Sequence, residues 1–430
     1  MSMKEHPAGA RKVLVFGAGP AGMTAAISAA RSGARVTLVE KTDEIGRKLS
    51  MTGNGRANLS NRNLTHEMYH TEAAGRMDGF LSRFGTSELI SFLSSIGLLT
   101  RWEGDGLYPV SGQASAAVLA LRRSCERSGV EMITGAQLKT VTPKPAGGFV
   151  CGAGGREFSA DAVILATGGL SGPRSCQASG DAYYLCEQLG IPCTPRYPAL
   201  VPLIVEDETL PQKTGVRAWA RIRFFAERDR DRKPIADEFG EVQFTAKSVS
   251  GIPVLQASDI VARALHDGFD VRAEVDLFPE VTETAWQDLT ADLTGRFSSE
   301  TVLNVLCGIC NASLAESILR RLSLTETDRM SDLSPDLRNA LFKQLRAFPV
   351  RIRGIGDYAR AQATAGGASL AELDDDCQSR RIPGLYLAGE LVDVNGRCGG
   401  YNLHWAFLSG MLSGVHAARG RSFEPDDAEG

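Results

Sequence analysis

One short segment constrains the fold of this chain more than any other. Val13-Leu14-Val15-Phe16 reads as a buried strand and runs directly into Gly17-Ala18-Gly19-Pro20-Ala21-Gly22. An alanine-rich helical stretch follows to about Ser32, and a second strand, Val36 to Val39, ends on Glu40. Strand, glycine turn, helix and strand within about 30 residues make a βαβ unit. Gly17 serves the tight turn, Gly19 lets backbone approach a pyrophosphate, and Gly22 lets the helix pack on the strand. The helix N-terminus then offers free N–H groups and a partial positive charge to phosphates. Glu40 lies 18 residues after Gly22, where a carboxylate accepts from ribose hydroxyls and disfavours a 2′-phosphate. The segment predicts a dinucleotide site without saying which dinucleotide.

Distant pieces narrow the choice. Ala166-Thr167-Gly168-Gly169, at the end of a strand over Ala162 to Leu165, resembles the second glycine signature of FAD-dependent reductases and oxidases. Gly384 to Glu390 resembles the late strand of such proteins, whose terminal acid bonds the ribitol chain; Glu390 stands where Asp is more usual. Gly152 to Gly155 lacks a strand before it and a helix after it, and reads as a hairpin turn. With no second fingerprint, NAD(P)H would visit the flavin as a transient reductant, without a Rossmann domain of its own.

The 430 residues exceed one compact core. The Gly- and Asn-rich stretch from Gly46 to Asn61 reads as a long functional loop, and helical patterning covers 86–96 and 113–128. Prolines cluster from Pro192 to Pro202, β-type segments follow at 199–205, 217–226 and 241–245, and 281–345 reads as almost wholly helical. The βα style returns at Gly384, with a last helix from Tyr401 to about Ala418. The expected fold is therefore α/β: a Rossmann-type FAD-binding domain of the glutathione-reductase kind, carrying an inserted β-rich domain and a helical subdomain. Its expected bounds are 1–194 and 351–430 for the FAD domain, 195–280 and 336–350 for the β-rich part, and 281–335 for the helical part.

A net charge of −4 exerts no general pull on nucleic acid. No signal-like segment and no apolar run near the ~18 residues of a membrane span is visible. Nine scattered cysteines suit a reducing compartment better than a disulfide framework. These features predict a cytoplasmic protein with no membrane partner and no metal site. Cys307-Gly308-Ile309-Cys310 reads as a pair of helix-packed thiols. Oligomeric state is not legible in the sequence.

Gly46-Arg47-Lys48-Leu49, Thr52 to Asn61 and Gly399-Gly400-Tyr401-Asn402-Leu403 together resemble a bacterial family of NAD(P)/FAD-dependent oxidoreductases. Its members include a bile-acid dehydro-intermediate reductase, an aminoacetone oxidase and a ribosomal RNA dihydrouridine synthase. The resemblance spans nearly the whole chain and includes Tyr108-Pro109-Val110, Phe244-Thr245, Ser250 to Pro253 and Thr364 to Gly367. It implies that Arg47 and Lys48 lie near the diphosphate and that the Gly399–Leu403 turn lies at the flavin ring. The expected cofactor contacts are Gly17, Ala18, Gly19, Pro20, Ala21, Gly22, Glu40, Lys41, Arg47, Lys48, Leu49, Gly53, Asn54, Gly55, Asn58, Leu138, Ala166, Thr167, Gly168, Gly169, Gly389, Glu390, Asp393, Gly399, Gly400, Tyr401 and Asn402. The family loop commonly carries Cys where this chain has Ala57, so no thiol acts there.

These features predict an FAD-dependent reductase that delivers hydride to an activated C=C bond of a small enone. Cys398, Tyr401, His404 and Tyr108 are the proton-donor candidates. A second reading is a ribosomal RNA dihydrouridine synthase, for which Arg217, Trp219, Arg221, Arg223, Phe224, Phe225, Arg228, Arg230, Arg232 and Lys233 form a basic and aromatic run. Arg346, Arg351, Arg353 and Arg360 form a second concentration. An O2-using oxidase of a small amine and a non-enzymatic, flavin-stabilised binding protein complete the set.

Overall fold

The computed structural model describes residues 9–172, 174–213, 215–226 and 233–420. Two compact units emerge, one from residues 1–196 with 363–430 and one from 197–362. Arg228, Arg230 and Arg232 of the basic run lie outside the described residues.

The first unit is built on a five-stranded, all-parallel sheet. Its strands are β1 (Lys12–Phe16), β2 (Arg35–Val39), β3 (Glu131–Ile133), β4 (Ala162–Leu165) and β5 (Leu385–Leu387), in the spatial order β5-β4-β1-β2-β3. All four residues of β4 and all three of β5 are buried, as strands covered on both faces require. Helix α1 (Pro20–Arg31) connects β1 to β2, and nine of its 12 residues are buried. Its alanine-rich composition follows from that: small side chains allow packing on nearly every side while keeping high helix propensity.

The last helix, α2 (Tyr401–Arg419), lies against α1. Gly410 and Gly414, one turn apart, share a face. A Cβ on Gly410 would come 2.3 Å from the Ala21 carbonyl oxygen, and one on Gly414 would come 2.3 Å from that of Ala25. The two backbones approach so closely that only glycine fits. The C-terminal helix is thereby fastened to the fingerprint helix 380 or so residues earlier in the chain, with Ser28 Oγ donating to Met411 Sδ at 3.1 Å.

The two segments of this unit also meet where the chain leaves and returns. Thr194 N–H donates to Gly367 O at 2.7 Å, and Gly367 N–H donates to Thr194 Oγ1 at 2.9 Å.

The second unit holds a closed antiparallel barrel of strands 203–205, 248–250, 236–244, 216–226, 271–276 and 348–355, with helices over 252–266, 283–296, 302–307, 312–321 and 335–346. Along Val216–Ala226, Val216, Ala220, Ile222 and Phe224 face the core while Arg217 and Arg221 are exposed. The expected boundary at 351 is corrected here: strand Phe348–Ile355 pairs with Leu203–Val205 and Val271–Asp276, so it closes the barrel, and the first unit resumes at Ala363. Residues 336–346, assigned above to the β-rich part, belong to helix Pro335–Arg346, whose N-cap Ser334 Oγ accepts from Leu337 N–H.

Glycine packing yields a stability test. Gly414→Ala is expected to destabilise the protein by roughly 1–3 kcal/mol, as overpacking does. Gly295→Ala, on an exposed helical site with nothing within 4 Å, is expected to be neutral or stabilising by up to about 1 kcal/mol. Thermal unfolding of the two variants beside the parent checks the contrast; equal midpoints would refute the close approach.

Candidate cofactor and active site

The fingerprint turn has the geometry its glycines require. Gly17 has φ +96°, and a Cβ there would come 2.3 Å from the Ala166 carbonyl oxygen. A Cβ on Gly22 would come 1.8 Å from Gly17 O. Both glycines are therefore required by the chain itself. Gly19 differs: φ is −78° and a Cβ would meet nothing within 4 Å. The open space lies at the N-terminus of α1, which begins at Pro20 without a side-chain cap or an acidic residue in its first turn. An uncapped helix start facing free volume is a cradle for phosphate.

Glu40 braces this turn. Its Oε2 accepts from Ala18 N–H at 2.7 Å, and its Oε1 accepts from Thr42 N–H and Oγ1 at 3.0 Å each. Ala136 N–H donates to Glu40 O at 2.9 Å. Leu138, two residues on, is buried in the antiparallel sheet of strands 138–143, 149–153 and 156–160. Lys41 points away from the turn, with Nζ donating to Ser179 Oγ at 2.6 Å and lying 3.9 Å from Asp181.

The Gly46–Asn61 stretch is more ordered than a loop. Gly46 N–H docks on Ala18 O at 2.8 Å, one helical stretch starts at Arg47, and Leu49 is fully buried. The helix breaks at Thr52, and Gly53, Asn54, Gly55 and Ala57 all adopt positive φ. Ser60–Asn61 then pairs with Gly106–Leu107.

Lys48 Nζ donates to Glu390 Oε2 and to Ser171 Oγ, both at 2.5 Å. Glu390 Oε1 accepts from Ser171 Oγ at 2.9 Å and Thr364 N–H at 2.8 Å. Burial would raise the Glu390 pKa, yet Lys48 and these hydrogen bonds outweigh it and hold the carboxyl below its ordinary value. Gly389, at φ +68°, is fixed from α2: its N–H donates to Ser409 Oγ and its carbonyl accepts from Trp405 Nε1. A Cβ on Gly169 would come 2.8 Å from Glu390 Oε1, so the second glycine signature closes over this network. Arg47 is half-buried at the start of its helix.

Before α2 the chain makes two residues that only glycine tolerates well. Gly399 has φ +131° and Gly400 φ +100°, and a Cβ on Gly400 would come 2.6 Å from Ser60 O. Asn61 Nδ2 donates to Gly399 O at 3.0 Å. Asn402 spends its side chain on the loop, donating to Gly396 O and accepting from Gly396 N–H. Asp393 is buried and accepts from Glu72 N–H at 3.2 Å. Two polar atoms, Asn58 Oδ1 and Thr167 Oγ1, are buried without a hydrogen-bond partner among the described residues. With the open volume above Gly19, they show that this set of residues fits a bound dinucleotide.

The proton-donor candidates separate on geometry. His404 is fully buried between Ser60 Oγ at Nδ1 (2.9 Å) and the Phe84 carbonyl at Nε2 (3.1 Å). Burial lowers its pKa to about 4, against opposing pulls from Phe84 O and Glu88. Because the Phe84 carbonyl can only accept, Nε2 carries the hydrogen and donates it there, and Nδ1 accepts from the Ser60 hydroxyl; the histidine is neutral and buried, with both nitrogens engaged. Tyr401 is buried and its hydroxyl donates to Asn63 O at 3.3 Å, while burial raises its pKa. Cys398 is half-buried and in no disulfide. Tyr108 is half-buried beneath the Arg56 guanidinium, 4.7 Å from the ring centroid. Arg56 itself is held by both oxygens of Glu103 at 2.8 and 2.6 Å, so its charge is compensated there.

Ser171, Thr364 and Ala136 are site-lining residues that sequence reasoning missed. Thr364 sits in a motif quoted above, but nothing in its local pattern points to Glu390. Cys307 is exposed, and burial pushes the Cys310 thiol up to about 12. No group of three or more metal-binding side chains occurs among the described residues. No helix there is long and apolar enough to cross a membrane.

A parallel sheet in this order, with an uncapped glycine turn at a strand end and an acid closing the neighbouring strand, defines a Rossmann-type nucleotide-binding protein. The chain matches the family described as HI0933-like protein Rossmann domain over residues 11–416 and belongs to it; it is an FAD-dependent oxidoreductase. It is 35% identical over 410 residues, 95% of its length and 99% of the relative's, to a 3-dehydro-bile acid delta(4,6)-reductase of Clostridium scindens. It is 27% identical over 402 residues, 92% and 95% of the two chains, to a ribosomal RNA dihydrouridine synthase of Escherichia coli. Among solved structures, 3-ketosteroid delta1-dehydrogenase from Sterolibacterium denitrificans shares the fold, with TM-score 0.52 and 14% identity over 95% of this chain and 100% of that one.

Two outcomes test the site. Gly19→Val is expected to purify without flavin while the apo-protein unfolds within about 1 kcal/mol of the parent, the scale of an N-cap change; a yellow variant would refute the cradle. His404 gives a pH window. Its folded pKa of about 4 lies below the ordinary 6.5, so its contribution is fully present above pH 6.5 and is lost as pH falls from 6.5 to 4. The loss is on the order of 3 kcal/mol. Urea unfolding at pH 7 and pH 4 should show that much more acid sensitivity in the parent than in His404→Gln.

Proposed function

We propose that this protein reduces a conjugated C=C bond of a small enone, of the dehydro-steroid class. The single observation that carries the reading is the 35% identity to the bile-acid reductase across essentially both full lengths. Bound FAD supplies a two-electron carrier whose reduced form donates hydride. The chain's residues supply the rest. The Gly17–Gly22 turn and the start of α1 hold the diphosphate, and Glu40 receives the adenosine ribose. The Lys48–Glu390–Ser171 network orients the sugar-alcohol chain, since Ser171 and Lys48 can each exchange a partner without leaving Glu390 unpaired. The turn at Gly399 and Gly400 leaves room for the ring. With hydride supplied by the cofactor, the part left to the chain would be to deliver a proton to the carbon α to the ketone. The Tyr108 hydroxyl makes no hydrogen bond among the described residues, which leaves it available as the proton donor. NAD(P)H is the proposed reductant of the flavin, and the cytoplasm the proposed compartment.

The ribosomal RNA reading has less support from the charges. Arg217 pairs with Glu241, Arg221 with Asp237, Arg272 with Glu274, and Arg346 with Asp276 and Glu283. Arginines paired in this way offer phosphate less charge than unpaired ones would.

The test is an anaerobic half-reaction. Protein reduced by dithionite is mixed with a 3-oxo steroid carrying conjugated C4 and C6 double bonds. Reoxidation of the flavin with a product heavier by two hydrogens is expected. Failure of the steroid to reoxidise the flavin, with dihydrouridine lost from ribosomal RNA when the gene is deleted, would replace this reading by the RNA one. Hydrogen peroxide formed in step with an amine donor would replace it by an oxidase.

A further inference from the structure

A cavity of about 410 Å³ opens in the second unit, lined by strands Val216–Ala226 and Val271–Asp276 and helices Glu283–Arg296 and Pro335–Arg346. Its volume falls in the range of small-molecule sites. Arg223 lines it, half-buried on its strand, opposite Asp237 on one neighbouring strand and Glu274 on the other. Cross-strand neighbours of opposite charge ordinarily pair. Here both carboxylates are held by other arginines, Asp237 by Arg221 at 3.6 Å and Glu274 by Arg272. Asp276, also in the cavity wall, is held by Arg346 at 3.6 Å. Arg223 is left without an ion pair, and its Nε is buried with no hydrogen-bond partner among the described residues. A buried donor left unmade costs free energy, and such atoms in native proteins call for an explanation.

We infer that this cavity binds a small organic oxyanion, a carboxylate or phosphate ester on an apolar body, with Arg223 as its anchor. A guanidinium presents Nε–H and one Nη–H side by side, which matches two oxygens of either headgroup. The other walls suit the same ligand. Phe342, Lys343 and Arg346 lie within about one turn of their helix, and Lys343 is exposed and makes no ion pair among the described residues. Arg346 also reaches Glu283 at 3.4 Å and lies 5.6 Å from the Trp286 ring centroid. Trp286 and Phe342 meet edge to face at 6.4 Å and supply the apolar wall. Three cations and two carboxylates among the lining residues leave one positive charge over. The site lies wholly within the second unit, whereas the cofactor residues belong to the first. The inference therefore goes beyond the enone reading and does not rest on it.

FAD-loaded protein is titrated calorimetrically with benzoate, with phenyl phosphate and with benzyl alcohol as the neutral counterpart. The anions are expected to bind one per chain and the alcohol not to bind; the tighter anion identifies the headgroup. Arg223→Gln is expected to weaken anion binding at least about tenfold, the scale of a charge-assisted hydrogen bond. Arg217→Gln, on the same strand but removing an arginine already paired with Glu241, is expected to leave binding unchanged. Without ligand, Arg223→Gln is expected to unfold at or above the parent's midpoint, because it removes an unpaired, partly buried charge. The proposal is overturned if neither anion binds the parent at millimolar concentration, or if benzyl alcohol binds as well as they do. Undiminished binding in Arg223→Gln overturns it too. So does a ligand-free midpoint well below the parent's, since Arg223 would then be a prop of the barrel.

Discussion

The contact between the first and last helices organises the FAD-binding unit. Gly410 and Gly414 of α2 lie against the carbonyl oxygens of Ala21 and Ala25 in α1. Helix backbones come that close only when side chains are absent on one side and small on the other. Everything chemically useful follows from it. Once α2 is seated, Trp405 and Ser409 fix Gly389, and Gly389 in turn places Glu390 beside Lys48 and Ser171. The same seating sets the Gly399–Gly400 turn against Ser60 and Asn58. A cofactor site assembled from residues near 20, 50, 170 and 390 is held by one helix pair.

Electrostatics in the site are arranged more for binding than for proton delivery. The helix start above Gly19 offers unmade N–H groups and a partial positive charge to a diphosphate. Lys48 is matched by Glu390 and Arg56 by Glu103, so neither adds an unpaired charge. His404, at the start of α2 and the natural suspect for acid chemistry, is buried and neutral, with both nitrogens engaged. Orientation and exclusion of water are thus the work most clearly built into the chain, which suits a flavin site, where the cofactor carries the electrons.

The βαβ unit was legible because its constraints are local. Gly22 excludes a Cβ by a clash with Gly17 five residues away, Gly17 adopts φ +96°, and Glu40 follows at a fixed interval, so the pattern survives in one dimension. Strand β4, a continuous apolar run, and helix α2, which starts directly after the Gly399-Gly400 pair, were equally legible. The barrel was legible only as β-type segments. Its closure depends on strand Phe348–Ile355 pairing with strands about 75 and 150 residues earlier, and no local signal records such a pairing; the boundary at Ala363 was missed for that reason.

The sequence by itself determined the fold class, the dinucleotide turn and the residues required to be glycine by φ or by near neighbours, because these are short-range steric facts. Only the tertiary structure decided which polar groups meet. It paired Lys48 with Glu390, brought the Ala136 amide to the Glu40 carbonyl, engaged both nitrogens of His404 with Ser60 and Phe84, and left Asn58 Oδ1 unsatisfied between Gly106 and Gly400. Hydrogen bonds reach about 3 Å, and residues hundreds of positions apart come within that reach only once the sheet and the helix pair have been assembled.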